Sequence, residues 1–228
     1  MSLFAIADTH LSFGSNKPMD DFEGWLNYTD RLKENWNKII DDKDYVVIAG
    51  DISWAMNFDE LKADFDYINQ LNGKKIILKG NHDYWWNTMS KMNKFIEENN
   101  FNTISILHNN AFDFDDFSVC GSRGWFFDSD EEQNEKVLNR EVMRIKTSIE
   151  SALNCEKIVF LHYPPVYENQ CCEEIVSLLK EKGIKKCYYG HIHGVAAKYA
   201  FDDNYDGIDF KLISADRLNF MPLLIKKF

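Results

Sequence analysis

Short apolar runs that stop abruptly at polar residues alternate, along most of the chain, with stretches of helical period. Ser2 to Ala7 stops at Asp8-Thr9-His10, and Tyr45-Val46-Val47-Ile48-Ala49 stops at Gly50-Asp51. Lys74 to Lys79 stops at Gly80-Asn81-His82-Asp83, Lys157 to Leu161 at His162-Tyr163-Pro164-Pro165, and Lys186 to Tyr189 at Gly190-His191-Ile192-His193. Runs of this length, rich in β-branched residues and bounded by Gly or Pro, read as buried strands. Between them lie helical patterns: about Phe22 to Asp41 (Trp25, Leu32, Trp36, Ile39, Ile40), a second marked by Leu61, Phe65, Ile68 and Leu71, and a third from about Trp86 to Asn99. Two more follow, with Leu138, Val142, Ile145, Ile149 and Ala152 on one face and then Cys172 to Glu181.

Strand and helix in alternation imply right-handed crossovers and a largely parallel α/β sheet, whose carboxyl edge is where ligands sit. Thr103 to Leu107 and Phe117 to Cys120 add strands around the acidic turn Asp113 to Asp116. The tail loses the helical period: Ala196 to Phe201, Ile208 to Ile213 and Leu223 to Lys226 read as antiparallel strands around Asp202-Asp203-Asn204 and Asp206-Gly207.

With 228 residues, 45% of them hydrophobic, and no linker-like or repetitive tract, the whole of 1–228 reads as one domain. A net charge of −11 argues against a surface that grips extended nucleic acid or an anionic membrane, so a polyanionic substrate needs cations from solution. No apolar run reaches a membrane span, and the first strand-length run at the N-terminus is too short for a secretory core. Five cysteines without C-x-x-C spacing suggest reduced thiols in a cytoplasmic protein.

Five of the six histidines (His10, His82, His162, His191, His193) directly follow strand patterns, together with Asp8, Asp51 and Asn81. A plain turn, with Gly80 ending the strand and Asn81 and Asp83 capping a helix, leaves His82 unexplained. Histidines placed at random have no reason to share one edge. Carboxylate, imidazole and amide donors without thiolate suit Mn, Fe, Zn, Ni or Mg, and so many donors suit two divalent ions bridged by one carboxylate.

Asp8-x-His10, Gly50-Asp51, Gly80-Asn81-His82-Asp83, His162 and Gly190-His191-x-His193 stand in an order that resembles the calcineurin-like metallophosphoesterases across residues 8 to 193. The resemblance implies a four-layer α/β/β/α sandwich, two mixed sheets flanked by helices, with a binuclear metal centre at the strand ends. It implies Asp8, His10 and His193 on one ion, Asn81, His162 and His191 on the other, and Asp51 bridging them. His82 corresponds to the family's non-ligand histidine that meets the phosphoryl or leaving-group oxygen, and Asp83 is expected to orient it. The implied activity is cleavage of a small phosphomonoester or phosphodiester by a metal-bridging hydroxide. A nuclease or nucleotide pyrophosphatase of the same fold is the rival enzyme. A non-catalytic protein-binding scaffold is the rival from another class, although it would be expected to have lost His82 or ligands that are all present. Many members carry an acidic residue shortly after Asp51, where this chain has Ile52-Ser53-Trp54.

For substrate contacts, Trp54 and Trp125 are candidates for walling the cleft, as are Tyr84, Trp85, Trp86, Phe126 and Phe127, against the plainer reading that aromatics at loop starts seal the core. Arg123 suits either a substrate phosphate or an ion pair with the acidic segment 128–135. That segment reads as a solvated loop or as a lid against extended polyanions, and His108 reads as structural.

Overall fold

The computed structural model describes residues 1–125 and 135–228. In chain order the elements are β1 (Ser2–Ile6), α1 (Tyr28–Ile39), β2 (Tyr45–Ala49), α2 (Phe58–Gln70), β3 (Lys74–Leu78), α3 (Met89–Glu98), β4 (Ile104–Ile106), β5 (Phe112–Asp113) and β6 (Phe117–Ser122). They continue with α4 (Glu135–Ser151), β7 (Glu156–Leu161), β8 (Val166–Tyr167), β9 (Gln170–Cys171), α5 (Glu173–Glu181), β10 (Lys186–Tyr189), a 3-10 turn (Gly194–Tyr199), β11 (Asn204–Tyr205), β12 (Ile208–Leu212) and β13 (Leu223–Lys227).

One sheet has the order β13-β1-β2-β3-β4 and the other β11-β12-β10-β7-β6-β5, with β8 and β9 as a separate hairpin. β1 to β4 are parallel, as are β6, β7, β10 and β12, while β13, β11 and β5 are antiparallel edge strands. Alternation along each buried strand divides its side chains between two cores. Leu3, Ala5, Val47, Ile76 and Leu78 meet Phe117, Val119, Ile158 and Phe160 between the sheets. Phe4, Ile6, Val46, Ile48 and Ile77 pack instead on Leu32, Trp36, Leu61, Phe65 and Met92 of α1 to α3. Val159, Leu161, Cys187 and Tyr189 pack on Ile145 and Ile149 of α4 and on Ile175 and Leu179 of α5. The result is the four-layer α/β/β/α sandwich.

The sheets join at the end of β1, where the Ala7 N–H donates to the Ile213 carbonyl at 2.8 Å and the Ala215 N–H to the Ala7 carbonyl at 2.8 Å. That joint brings the carboxyl ends of both parallel sets to one place.

Three expectations from the sequence are corrected. α1 begins at Tyr28 rather than near Phe22, because Gly24 (φ 86°) and Asn27 (φ 53°) are left-handed and the Asn27 N–H is held by Asp20 Oδ1 in a turn. α3 begins at Met89, since His82 to Trp86 is wound into turns by Tyr84 N–H to His82 O and Trp86 N–H to Asp83 O. The tail is not an antiparallel unit: Gly194–Tyr199 is 3-10, β12 runs parallel to β10, and β13 crosses to the other sheet to pair with β1. Only the Asp206-Gly207 hairpin (φ 53° and 85°) keeps the expected form, with the two left-handed residues that a two-residue loop demands.

Two buried charged side chains tie the layers together. Lys75 in β3 is fully buried, and its ammonium donates to the Leu71 and Gly73 carbonyls at 2.6 and 2.7 Å, just past the end of α2; desolvation pulls its pKa down to about 8. Asp64 in α2, also fully buried, accepts from the Phe13 N–H at 2.7 Å and from the Ser53 hydroxyl, so it links the loops that follow β1 and β2. Burial pushes the Asp64 carboxyl up to about 6, with those donors opposing the rise.

A carboxyl that holds its proton more tightly when folded adds stability that is complete below the ordinary value of 3.8 and is lost as the pH rises through about 6. Asp64→Asn, which keeps an acceptor for Phe13, is expected to flatten this dependence. The stability of wild type relative to Asp64→Asn should fall by on the order of 3 kcal/mol between pH 4 and 7, as read by urea unfolding at each pH. A constant difference would show that the carboxylate is not desolvated.

Candidate metal centre

The loops after β1 and β2 leave their strands side by side. The Asp8 N–H donates to the Gly50 carbonyl, His10 to Asp51 and Leu11 to Ile52, at 2.9 to 3.0 Å, so the parallel ladder continues past both strand ends. Alternation along this extension would turn successive side chains to opposite faces. Instead Asp8 (φ 56°), His10 (φ 43°), Asp51 (φ 48°) and, from the loop after β10, His191 (φ 71°) are all left-handed. Such conformations cost about 1 to 3 kcal/mol each for strained non-glycine residues, and they cluster where function requires them. Close approach of backbone adds to this. A Cβ on Gly80 would lie 2.1 Å from Asp51 Oδ1 and 2.2 Å from the Asp51 nitrogen, and one on Gly50 would lie 2.6 Å from His162 Nδ1.

The donors gather in two groups that share one carboxylate. Asp8, His10 and Asp51 offer atoms within 4.8 Å of one another, and so do Asp51, His162 and His191. Asn81 joins the second group, its Oδ1 lying 2.6 Å from His162 Nε2 and 3.0 Å from His191 Nδ1. His193 joins the first, its ring centroid 5.2 Å from that of His10. All seven sequence-predicted ligands therefore converge from five loops on both sheets.

The hydrogen-bond inventory fits a cation. Both ring nitrogens of His10 are buried and have no hydrogen-bond partner among the described residues, an arrangement proteins rarely tolerate without a ligand. His162 faces acceptors on both sides, Nδ1 lying 3.1 Å from the Ala49 carbonyl and Nε2 2.6 Å from Asn81 Oδ1 and 3.5 Å from Asp51 Oδ2. A neutral ring has one proton for the two nitrogens, so one of them faces an acceptor with a lone pair unless a cation takes it. Asp8 accepts the His191 N–H with both oxygens, at 3.0 and 2.9 Å.

Electrostatics point the same way. Burial pushes the Asp8 carboxyl up to about 8 and the Asp51 carboxyl well above its ordinary range, the latter helped by the charges of Asp83 and Asp8. Burial also drives the His10 and His162 imidazoles well below theirs. Without a cation the pocket disfavours the charged forms of Asp8, Asp51, His10 and His162, and a divalent ion inverts the preference of the carboxylates while keeping the imidazoles neutral.

His82 stands at the rim with its N–H on Asp51 Oδ1 at 2.8 Å. Its ring lies 4.5 Å from Trp54, which also stacks on His10 at 4.8 Å. Asp83 does not take the orienting position expected for it. It is fully buried, with Oδ1 accepting from the Ile52 and Ser53 N–H groups and from Trp85 Nε1, and Oδ2 from Gly80 N–H at 2.7 Å. Three of these donors are backbone N–H groups of two motif loops and the fourth is the Trp85 indole, which makes Asp83 a brace. Trp125 is also relocated: it is 2% exposed within the core between the second sheet and its helices, so it cannot line a cleft. Arg123 holds the loop after β7, its carbonyl accepting the His162 and Tyr163 N–H groups, while its guanidinium lies 5.6 Å over the Tyr163 ring. Phe126, Phe127 and the acidic stretch from Asp128 to Glu132 lie outside the described residues.

Sequence reasoning missed three contributors. Trp25, taken as an ordinary core position, packs edge-on against His10 at 5.9 Å and His193 at 6.3 Å. Lys17, in a loop without motif, sits 4.5 Å over Trp54. Asp216 holds the Gly194 N–H beside His193 and supplies the charge that offsets burial there. None of the three has a spacing signal; each depends on how loops fold back over the strand ends.

Comparison with known proteins extends this picture. The solved structure of a protein of unknown function, AQ665 from Aquifex aeolicus, superposes with a TM-score of 0.51 over 98% of this chain and 95% of its own, at 16% identity. Phosphopantetheinyl hydrolase (PptH) from Mycobacterium tuberculosis superposes with a TM-score of 0.57 over 100% and 96%, at 13% identity. At these identities the likeness is one of fold. An uncharacterized protein of Methanocaldococcus jannaschii, MJ1445, is 33% identical over 86 residues, which is 36% of this chain and 46% of that protein. The chain thus matches less than half the length of that relative. The calcineurin-like phosphoesterase family matches residues 1–195, the span that carries all five candidate ligand loops, and the chain belongs to that family.

Proposed function

We propose that this protein hydrolyses a small phosphomonoester or phosphodiester with two divalent ions, one held by Asp8, His10 and His193, the other by Asn81, His162 and His191, and both by Asp51. The observation that carries the reading is the sharing of Asp51 between two donor groups, one of them fully buried. Divalent ions in these positions supply Lewis acidity toward phosphoryl oxygens and a water of lowered pKa. The protein's own part is to hold seven donors in one geometry, to exclude bulk water behind Trp25 and Trp54, and to place His82 beside the leaving group. Cations that compensate the phosphate's charge also answer the net −11, which weighs against extended nucleic acid as substrate. Among the described residues no helix is long and apolar enough to cross a membrane. Five unpaired cysteines support a reducing, cytoplasmic setting.

Wild type loaded with Mn and freed of excess metal is expected to retain two ions per chain by elemental analysis, and Asp51→Asn at most one. Two tightly held ions in Asp51→Asn would remove the bridging role.

On 4-nitrophenyl phosphate and bis(4-nitrophenyl) phosphate, His82→Ala is expected to keep both ions and lose about 10² to 10⁴ of kcat, the usual range for a proton donor. Loss of the ions instead would make His82 a ligand. A substrate carrying a phosphopantetheinyl group belongs in the same panel, since one fold neighbour bears that name. If wild type cleaves no ester with Mn, Zn or Mg, the hydrolase reading gives way to a binding scaffold.

A further inference from the structure

With Asp83 committed to four N–H donors, the orientation of His82 falls to other groups. Position 54 does not provide a carboxylate either, because it is tryptophan. The Tyr84 hydroxyl lies 3.1 Å from His82 Nδ1, the rings meet edge to face at 5.9 Å, and Trp54 lies against the His82 ring at 4.5 Å. Lys17 covers the same wall, 4.5 Å over Trp54 and 6.0 Å over Tyr84. Tyr84 is itself 50% exposed, so the protein does not need it as core.

We infer that Tyr84 is the positioning residue of His82: its hydroxyl fixes the imidazole at Nδ1 while Trp54 fixes the plane of the ring, and Nε2 is presented to the leaving-group oxygen. This rests on the phosphoesterase reading above. A hydroxyl both donates and accepts, whereas a carboxylate only accepts, so Tyr84 holds the ring in either protonation state. In the reaction the protonated His82 gives its Nε2 proton to the leaving oxygen as the P–O bond breaks and its electron pair moves to that oxygen. The remaining proton, on Nδ1, stays hydrogen-bonded to the Tyr84 oxygen. The water that attacks phosphorus releases a proton, which restores the ring. Residues two apart in a turn can make this pair because Tyr84 N–H bonds to the His82 carbonyl at 2.8 Å, bending the chain so that both side chains rise from one side.

Tyr84→Phe keeps the ring and removes only the hydroxyl. In Mn-loaded protein it is expected to lower kcat about tenfold with KM and bound metal unchanged. The loss should be larger for phenyl phosphate than for 4-nitrophenyl phosphate, because a poorer leaving group depends more on the proton. In a His82→Ala background the same substitution should cost nothing further, which a merely structural role would not produce. In metal-free protein labelled with ¹⁵N-histidine, the His82 ring nitrogens, assigned by their absence from His82→Ala, should shift in Tyr84→Phe. Unchanged ring-nitrogen shifts, or an equal fractional loss of kcat on both esters, would overturn the inference. If wild type cleaved neither ester the phosphoesterase reading would fall instead, and the ring-nitrogen spectrum would still decide whether Tyr84 holds His82.

Discussion

A set of lone pairs brought together with too few protons between them governs this protein. Asp8, Asp51, Asn81, His10 and His162 bring polar side-chain atoms to within 2.6 to 3.8 Å of one another, all but Asn81 fully buried. Left alone, such a cluster is destabilising, since burial penalises its charged forms and the ring nitrogens of His10 keep the desolvation penalty without a hydrogen bond. Divalent cations reverse the sign of that balance. Folding thus prepares a site that is at its most favourable only with metal in it.

Holding those acceptors together is a task for rigid backbone, and the sandwich provides it. Parallel strands end at one edge, and the Ala7 to Ile213 joint makes the edges of the two sheets coincide. The last adjustment comes from left-handed residues at Asp8, His10, Asp51 and His191 and from glycines at 50 and 80 that let loops pass at van der Waals distance. Behind this layer, Asp83 and Asp64 spend their carboxylates on the loops themselves. Each pulls two separate segments into register, so the clustered donors stand on braced loops.

Much of the donor cluster was legible in the sequence because strand ends and motif order are both one-dimensional signals. Five apolar runs, each closing on His, Asp or Asn, give the donors and their common edge without any knowledge of packing. What lay beyond reach depends on contacts between residues far apart in sequence. Trp125 follows a strand, as a cleft residue would, yet its loop turns it into the core. Trp54 and Tyr84 are separated by a whole strand and helix, and only the fold shows both on the His82 ring. The tail misled for a different reason: alternation in Ile208–Leu212 reports a strand, but its parallel partner is set by the sheet it joins.

Lys75 carries a consequence of another kind. An amine with a lowered pKa is, by its chemistry, more nucleophilic at neutral pH than an ordinary lysine, yet this one is sealed within the sheet with its nitrogen on the carbonyls beyond α2. Acylating reagents applied to the intact protein would modify surface amines and pass it by. Its labelling would begin only when β3 parts from α2, which makes a single interior side chain a chemical clock for the opening of the sheet that holds β3.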